Sequence, residues 1–175
     1  MFTRKAMAVS VLYLLTAQIV MADDNPQLGE NVSQADLAVV DYTIMPNGEG
    51  LPDGSGTAAE GAKVYQDNCL ACHGAGGKDG LNDVLVGGHG SLTTDRPRKT
   101  VGSYWPYATT LFDYVHRAMP YQAPGSLSND DVYAVTAYIL YLNDVVDEND
   151  QLDADTLPDV RMPNRDNFVW AYSPD

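Results

Sequence analysis

The chain has 175 residues and a formal net charge of −14 at neutral pH. Such an acidic protein is a poor partner for nucleic acids and for anionic membrane surfaces, because both attract basic proteins. About 150 residues remain once a predicted N-terminal signal is set aside, which is enough for one domain with a hydrophobic core.

The first residues predict an export signal. Arg4 and Lys5 form a short positive region, residues 6–20 are apolar and nearly uncharged, and Val20-Met21-Ala22 suits a signal peptidase. We expect cleavage after Ala22, which would leave residues 23–175 in the periplasm with no membrane anchor. A retained anchor is the alternative, but the apolar run is short for a span and acidic residues follow it directly.

Residues 23–56 predict an irregular N-terminal arm. They contain no Lys or Arg, and Gly and Pro are frequent in MPNGEGLPDGSG. A short helix is expected near Ser33–Val39. Thr57 and Glu60 then form a capping box, so a helix should run from there to about Asp67 and open the main domain, residues 57–142.

The sequence CLACH, residues 69–73, follows this predicted helix and contains the only two cysteines. Cys69, Cys72 and His73 form the attachment signature of c-type haem. Two thiols one helical turn apart can each form a thioether to a vinyl group, and the adjacent histidine supplies the proximal iron ligand. A zinc site would need two further ligands nearby, a redox dithiol would need a βαβ setting, and a disulfide would leave His73 unexplained. The motif therefore predicts one covalently bound haem c.

Met119 is the predicted sixth ligand of the iron. A glycine-rich loop over residues 74–100 and an aromatic loop, GSYWPY, separate CLACH from a helix expected to begin near Thr110, in which Asp113 and Arg117 can pair. Met119 ends the apolar face of this helix, and Pro120 stops the helix by disfavouring helical geometry before it. The alternatives are His116, His89, Met45 and Met162.

One basic and aromatic segment lies just before that helix and could contact the haem propionates. Arginine, indole N–H and phenol O–H groups are suitable hydrogen-bond donors to carboxylates. The predicted contacts are Tyr104, Trp105 and Arg96, with Arg98 and Lys99 in the same segment. A solvated loop with packed aromatic residues is the alternative.

Ser128 caps the longest predicted helix, Val132 to about Leu142, which is apolar on most sides and should be buried on most sides. We expect the C-terminal extension, residues 143–175, to cover it, with Met162, Phe168 and Trp170 as anchors. The acidic run Asp144–Asp155 lacks the EF-hand pattern, so a solvated charge run is a better interpretation than a calcium site. The sequence predicts an all-α fold.

Several stretches resemble known proteins. TAAEGAKVYQDNCLACHG resembles the first helix of a class I cytochrome c, and NDDVYAVTAYILYL resembles its last helix. The resemblance implies the class I cytochrome c fold, with Gly61 packed on Tyr138. Three longer stretches resemble the cytochrome c subunit of periplasmic sulfite dehydrogenases and of the Sox sulfane dehydrogenase: PNGEGLPDGSGTAAEGAKVY, GSYWPYATTLFDYVHRAMPYQAPGSLSNDDVYAVTAYILYLN and LPDVRMPNRDNFV.

The resemblance implies an electron-transfer subunit without substrate chemistry of its own. In that family a partner subunit with a molybdenum cofactor oxidises the sulfur compound. The cytochrome takes the electrons one at a time and passes them to a soluble cytochrome c. Cys69, Cys72, His73 and Met119 match the haem-binding positions, and the lack of a second domain favours the short, sulfite-type subunit or a free-standing homologue. Two alternatives are a free-standing periplasmic cytochrome c, and a haem enzyme or gas sensor with open or His-ligated iron.

Overall fold

A computed structural model of the chain describes residues 29–169 and 171–172. The predicted signal and Trp170 lie outside these residues. The described part is helical, as predicted, with helices Gln34–Val40 (α1), Ala58–Asn68 (α2), Leu70–His73 (α3), Val101–Tyr104 (α4), Ala108–Ala118 (α5) and Asn129–Tyr141 (α6). Strands Ser55–Gly56 (β1) and Leu152–Asp153 (β2) pair antiparallel, with Gly56 opposite Leu152. Within the described residues, none of the helices has the length and hydropathy needed to cross a membrane.

The chain divides into two compact units, residues 1–40 and residues 41–175. In the described part of the first unit, helix α1 lies close to the predicted position. It begins after Ser33, whose hydroxyl accepts a hydrogen bond from the Asp36 amide at 3.2 Å. All other helices and both strands belong to the second unit, which carries the site described below.

Helix α2 begins where its capping box predicts, and α6 begins at Asn129, directly after the predicted cap Ser128 and three residues before the predicted start at Val132. The Thr57 hydroxyl accepts from the Glu60 amide at 3.3 Å, and the Glu60 carboxylate accepts from the Thr57 amide at 2.8 Å. Ser128 and Asp131 make the same reciprocal pair at the start of α6. Each box satisfies two backbone N–H groups that a helix start otherwise leaves unpaired.

Helices α2 and α6 cross in backbone contact at Gly61. A Cβ atom added to Gly61 would lie 1.9 Å from the Ala134 carbonyl oxygen and 2.9 Å from the Tyr138 Cβ. One turn further along α2, the ring centroid of Tyr65 lies 5.3 Å from that of Tyr138. The expected packing of Gly61 on Tyr138 is confirmed, and the nearest neighbour of Gly61 is the backbone of α6 itself.

The cover of α6 differs from the prediction. The helix is buried on most sides, as expected, but helix α2, strand β1 and helix α5 supply most of the cover. Gly56 of β1 allows this approach, because a Cβ there would lie 2.4 Å from the Ala134 amide nitrogen. In the C-terminal extension, strand β2 contacts α6, and so does Asn143, which directly follows the helix C-cap. The apolar pattern showed that α6 is covered but not which segment covers it.

The prediction was also wrong about two helix starts. Helix α4 lies in the stretch predicted as an aromatic loop; Thr100 caps it in a box closed by Ser103 rather than by the usual Glu or Gln. Helix α5 begins at Ala108, before the predicted Thr110, and Tyr107 at its N-cap makes no side-chain hydrogen bond. The predicted pair of Asp113 and Arg117 is present.

The C-terminal extension contributes directly to the hydrophobic core. Leu152, Leu157 and Met162 are at most 3% exposed and pack with the core residues of the helices. Phe168, predicted as an anchor, is 50% exposed and places its ring 5.5 Å from that of Tyr104. Buried apolar groups therefore hold the extension as far as Met162, and Phe168 adds a partly exposed contact.

Tyr133 should make the fold sensitive to alkaline pH. Burial, followed by the charges of nearby Asp153, Asp53 and Asp155, raises the pKa of Tyr133 to about 12. The unfolded chain loses this proton near pH 10, so stability should fall as pH rises from about 10 toward 12. A Tyr133→Phe variant should be less stable near neutral pH by about 1 kcal/mol, because the 2.9 Å hydrogen bond to the Pro52 carbonyl is lost. Urea unfolding followed by circular dichroism at several pH values should then show a shallower alkaline decline than in the wild type, and an equal slope would contradict the prediction.

Candidate haem site

A cavity of about 430 Å³ lies between CLACH and the C-terminal end of α5. Its size is in the range typical of cofactor pockets. Most of its wall is apolar, including Val84, Leu85, Val101, Leu111, Val115, Leu127 and Ile139. Cys69, Cys72 and His73 lie on one side, and Met119 also lines the cavity. The fold thus brings all four predicted haem-binding residues to one apolar space.

The hydrogen bond of His73 fixes the state of its ring. Its Nδ1 lies 2.8 Å from the carbonyl oxygen of Asp83. A carbonyl can only accept, so in the neutral ring the proton is on Nδ1 and the lone pair is on Nε2. This is the arrangement that a metal-binding histidine uses, and the acceptor on Nδ1 increases the basicity of Nε2.

The two cysteines lie on either side of Leu70-Ala71 and are not joined by a disulfide. Burial, and secondarily the neighbouring Cys72, raises the pKa of the Cys69 thiol to about 11. A redox-active dithiol needs a thiolate, which a depressed pKa provides. The environment of Cys69 is therefore the opposite of what a thioredoxin-like site requires, while an apolar wall suits the vinyl side of a haem.

Met119 has the backbone geometry that its predicted role needs. It forms the C-cap of α5 with φ −124° and ψ 145°, which is the extended conformation expected before Pro120. Its amide donates to the Val115 carbonyl at 3.0 Å, so the last turn of the helix fixes its position. The residue is partly buried against the core.

The other sixth-ligand candidates are not among the residues that line this cavity. Met162 is buried in the core at 1% exposure, and Met45 is 44% exposed. His89 is exposed and lines a different, smaller pocket. His116 stacks on Phe112, with ring centroids 5.8 Å apart. Of the five candidates, Met119 alone faces the cavity.

The predicted propionate contacts divide into two groups. Trp105 and Lys99 line the cavity. Tyr104 is not among its lining residues; its ring contacts Phe168 and lies 4.7 Å from the Lys99 ammonium. Arg96 lies in the exposed loop before α4 and is not a lining residue. Of this predicted segment, Trp105 and Lys99 thus lie beside the cavity, and contact with the propionates stays a prediction.

Six polar or aromatic lining residues were missed by the sequence prediction: Asn68, Asp83, Thr100, Tyr114, Tyr121 and Gln122. Tyr114 shares the helical spacing of Leu111 and Val115, so the periodicity of α5 could have identified it. Tyr121 and Gln122 follow Met119-Pro120 in an irregular segment, where no periodic pattern identifies a cavity wall. Tyr114 and Tyr121 are 49% and 81% exposed, so the cavity reaches the surface beside them.

Comparison with known proteins agrees with this geometry. Residues 58–143 match the family model for cytochrome c. A chain of the sulfane dehydrogenase SoxCD from Paracoccus pantotrophus is similar in structure, with 43% sequence identity and a TM-score of 0.76. The match covers 86% of this chain and 72% of that chain.

This protein belongs to the cytochrome c family. Family membership implies covalently bound haem c, and Cys69 and Cys72 fit its attachment motif. The comparison with curated proteins gave no significant match. Bound haem supplies a one-electron iron couple, and the residues present fit that group: two thiols, an imidazole with a free Nε2, a thioether and an apolar wall.

Proposed function

We propose that this cytochrome is the electron-transfer subunit of a periplasmic sulfur-compound dehydrogenase. It would accept electrons one at a time from a molybdenum-containing subunit that oxidises sulfite or a sulfane sulfur, and would pass them to a soluble cytochrome c. The chain would carry no substrate chemistry of its own. Its part would be to hold the haem, tune its potential and present it to two partners.

The extent of the structural match carries this proposal. The family model covers only residues 58–143, whereas the SoxCD match covers 86% of the chain. The likeness therefore includes segments on either side of the haem domain. A free-standing carrier needs no such extensions, while a subunit of a complex can use them to contact its partner.

The site supports a role in electron transfer. His73 and Met119 together form the ligand pair that favours the reduced iron and raises the potential, which suits an electron acceptor. The exposed rings of Tyr114 and Tyr121 show that the cavity reaches the surface. Electrons can therefore enter and leave the haem over a short distance from a docked partner.

The proposal can be tested with the haem-loaded protein and a molybdenum-containing sulfur-compound dehydrogenase subunit from the same organism. We expect the two proteins to co-purify, and we expect sulfite or a sulfane substrate to reduce the haem only when both are present. A Cys69→Ser, Cys72→Ser double variant, which cannot attach haem, is the matched control for the absorbance signal.

Three outcomes would contradict the proposal. Haem reduction that does not depend on the molybdenum subunit would remove the proposed donor. A monomer that never co-purifies with that subunit, yet reduces a terminal oxidase, would indicate a free-standing carrier. Rapid binding of carbon monoxide by the reduced wild-type protein would indicate an open iron, as in a haem enzyme or gas sensor.

A further inference from the structure

Asn143 is a buried amide directly after helix α6, and it holds one wall of the haem cavity. Its side chain is 1% exposed. Its Nδ2 donates to the Ile139 carbonyl at 2.9 Å and to the Leu85 carbonyl at 3.2 Å, and its Oδ1 accepts from the Gly87 amide at 3.0 Å. Two carbonyls on one side and an N–H on the other fix the orientation of the amide without ambiguity.

Asn143 also contacts the start of helix α4. A Cβ atom added to Gly102 would lie 2.2 Å from the Asn143 Oδ1, so α4 packs directly on this side chain. The Thr100 hydroxyl, at the N-cap of α4, donates to the Gly87 carbonyl. Both polar groups of Gly87 are thus held by side chains. Leu85, Val101 and Ile139, which these contacts fix, all line the cavity.

The segment held by Asn143 is the one that carries the partner of His73. Asp83 lies two residues before Leu85, and its carbonyl accepts from His73 Nδ1 at 2.8 Å. The other end of the segment is fixed by backbone bonds, from Asn82 to Cys72 and from Leu85 to Gly77, each at 2.9 Å. Asn143 and Thr100 supply the side-chain contacts at the Gly87 end, so substituting either residue can release that end of the segment.

We propose that Asn143 is a positioning residue for the proximal histidine. By fixing Leu85 and Gly87 it keeps the Asp83 carbonyl on His73 Nδ1, and so it sets how strongly His73 donates to the iron. A histidine whose Nδ1 proton is hydrogen-bonded is the more basic ligand and favours Fe(III). The inference rests on His73 as the proximal ligand, and it does not depend on which partner reduces the haem.

The test compares haem-loaded Asn143→Ala and Asn143→Asp with Thr136→Val. Asn143→Ala removes all three hydrogen bonds, and Asn143→Asp removes the two that Nδ2 donates. Thr136 is a matched control because it is buried on α6, its hydroxyl has no hydrogen-bond partner among the described residues, and it does not line the cavity. The measurements are the reduction potential and, by NMR of the reduced protein, the exchange rate of the His73 Nδ1 proton.

We expect both Asn143 variants to show a higher reduction potential and about tenfold faster exchange of the Nδ1 proton. Thr136→Val should match the wild type in both. Wild-type values in a folded, haem-loaded Asn143 variant would overturn the inference. A raised reduction potential with unchanged exchange of the His73 Nδ1 proton would overturn the inference too, because the change in potential would then have another cause, such as entry of solvent.

A measurement on the wild-type protein needs no variant to fold. We expect the Gly87 amide and the His73 Nδ1 proton to be protected from exchange to a similar degree, because one opening of the segment exposes both. A Gly87 amide that exchanges as freely as an exposed loop amide would overturn the inference. None of these measurements involves the proposed dehydrogenase, so the expected results stay the same if the chain has a different redox partner.

Discussion

In a Met119→Ala variant, the methionine-to-iron absorption band of the oxidised protein should disappear, and the reduced protein should bind carbon monoxide rapidly. Loss of the thioether leaves the distal position open to water or an added ligand. The potential should fall by on the order of 0.1–0.3 V, within the roughly 0.8 V that axial ligands span, because the thioether stabilises Fe(II). Visible spectroscopy, carbon monoxide titration and potentiometry measure the three effects.

Two other methionines provide the controls for this prediction, since each is also followed by proline. Met45→Ala changes an exposed residue, and Met162→Leu keeps the volume of a buried one. Both proteins should keep the band and the wild-type potential. If the band survives in Met119→Ala, or disappears in either control, then Met119 is not the sixth ligand.

A Gly61→Ala variant should be destabilised by about 3 kcal/mol, near the upper end of the usual cost of overpacking. Alanine normally stabilises a helix relative to glycine by about 1 kcal/mol, so the expected effect has the opposite sign. The reason is the 1.9 Å separation between an added Cβ and the Ala134 carbonyl oxygen. Neither backbone can yield without moving α2 from α6. Urea unfolding followed by circular dichroism measures the change.

The matched control is Gln66→Ala on the same helix. Gln66 is exposed, so this substitution should change the free energy of unfolding by less than about 0.5 kcal/mol. A Gly61→Ala protein as stable as the wild type, or more stable, would show that the two helices do not cross in backbone contact at this residue.

Local chemistry explains which parts of the fold were predictable. Thr57 and Glu60 lie within four residues, so the start of α2 can be identified from the sequence alone; Ser128 identifies the cap of α6, although the helix begins at Asn129 rather than at the predicted Val132. Helix α4 was missed because Ser103 closes its box. The start of α5 was missed because Tyr107 makes no capping bond, so nothing in the local sequence identifies it.

The candidate site also has one part that the local sequence predicts and another part that it does not. CLACH predicts the haem because the attachment chemistry requires two cysteines and a histidine within five residues. The partner of His73 is a backbone carbonyl ten residues away, and any residue type at position 83 could provide it. Asn143 lies far from Leu85 and Gly87 in sequence, and only the tertiary fold brings its amide to them. Neither contact leaves a pattern in the sequence.

The segment that this chain shares with other cytochromes is shorter than the part of the chain that folds together, as the pairing of β1 with β2 shows. Both strands lie outside residues 58–143, as do the core residues Leu157 and Met162. A chain cut to the shared region would expose the apolar surface that these segments cover, at about 25 cal/mol for each Å² returned to water. The segments beside the haem domain are therefore part of what makes this cytochrome stable, and a minimal folded fragment has to include them.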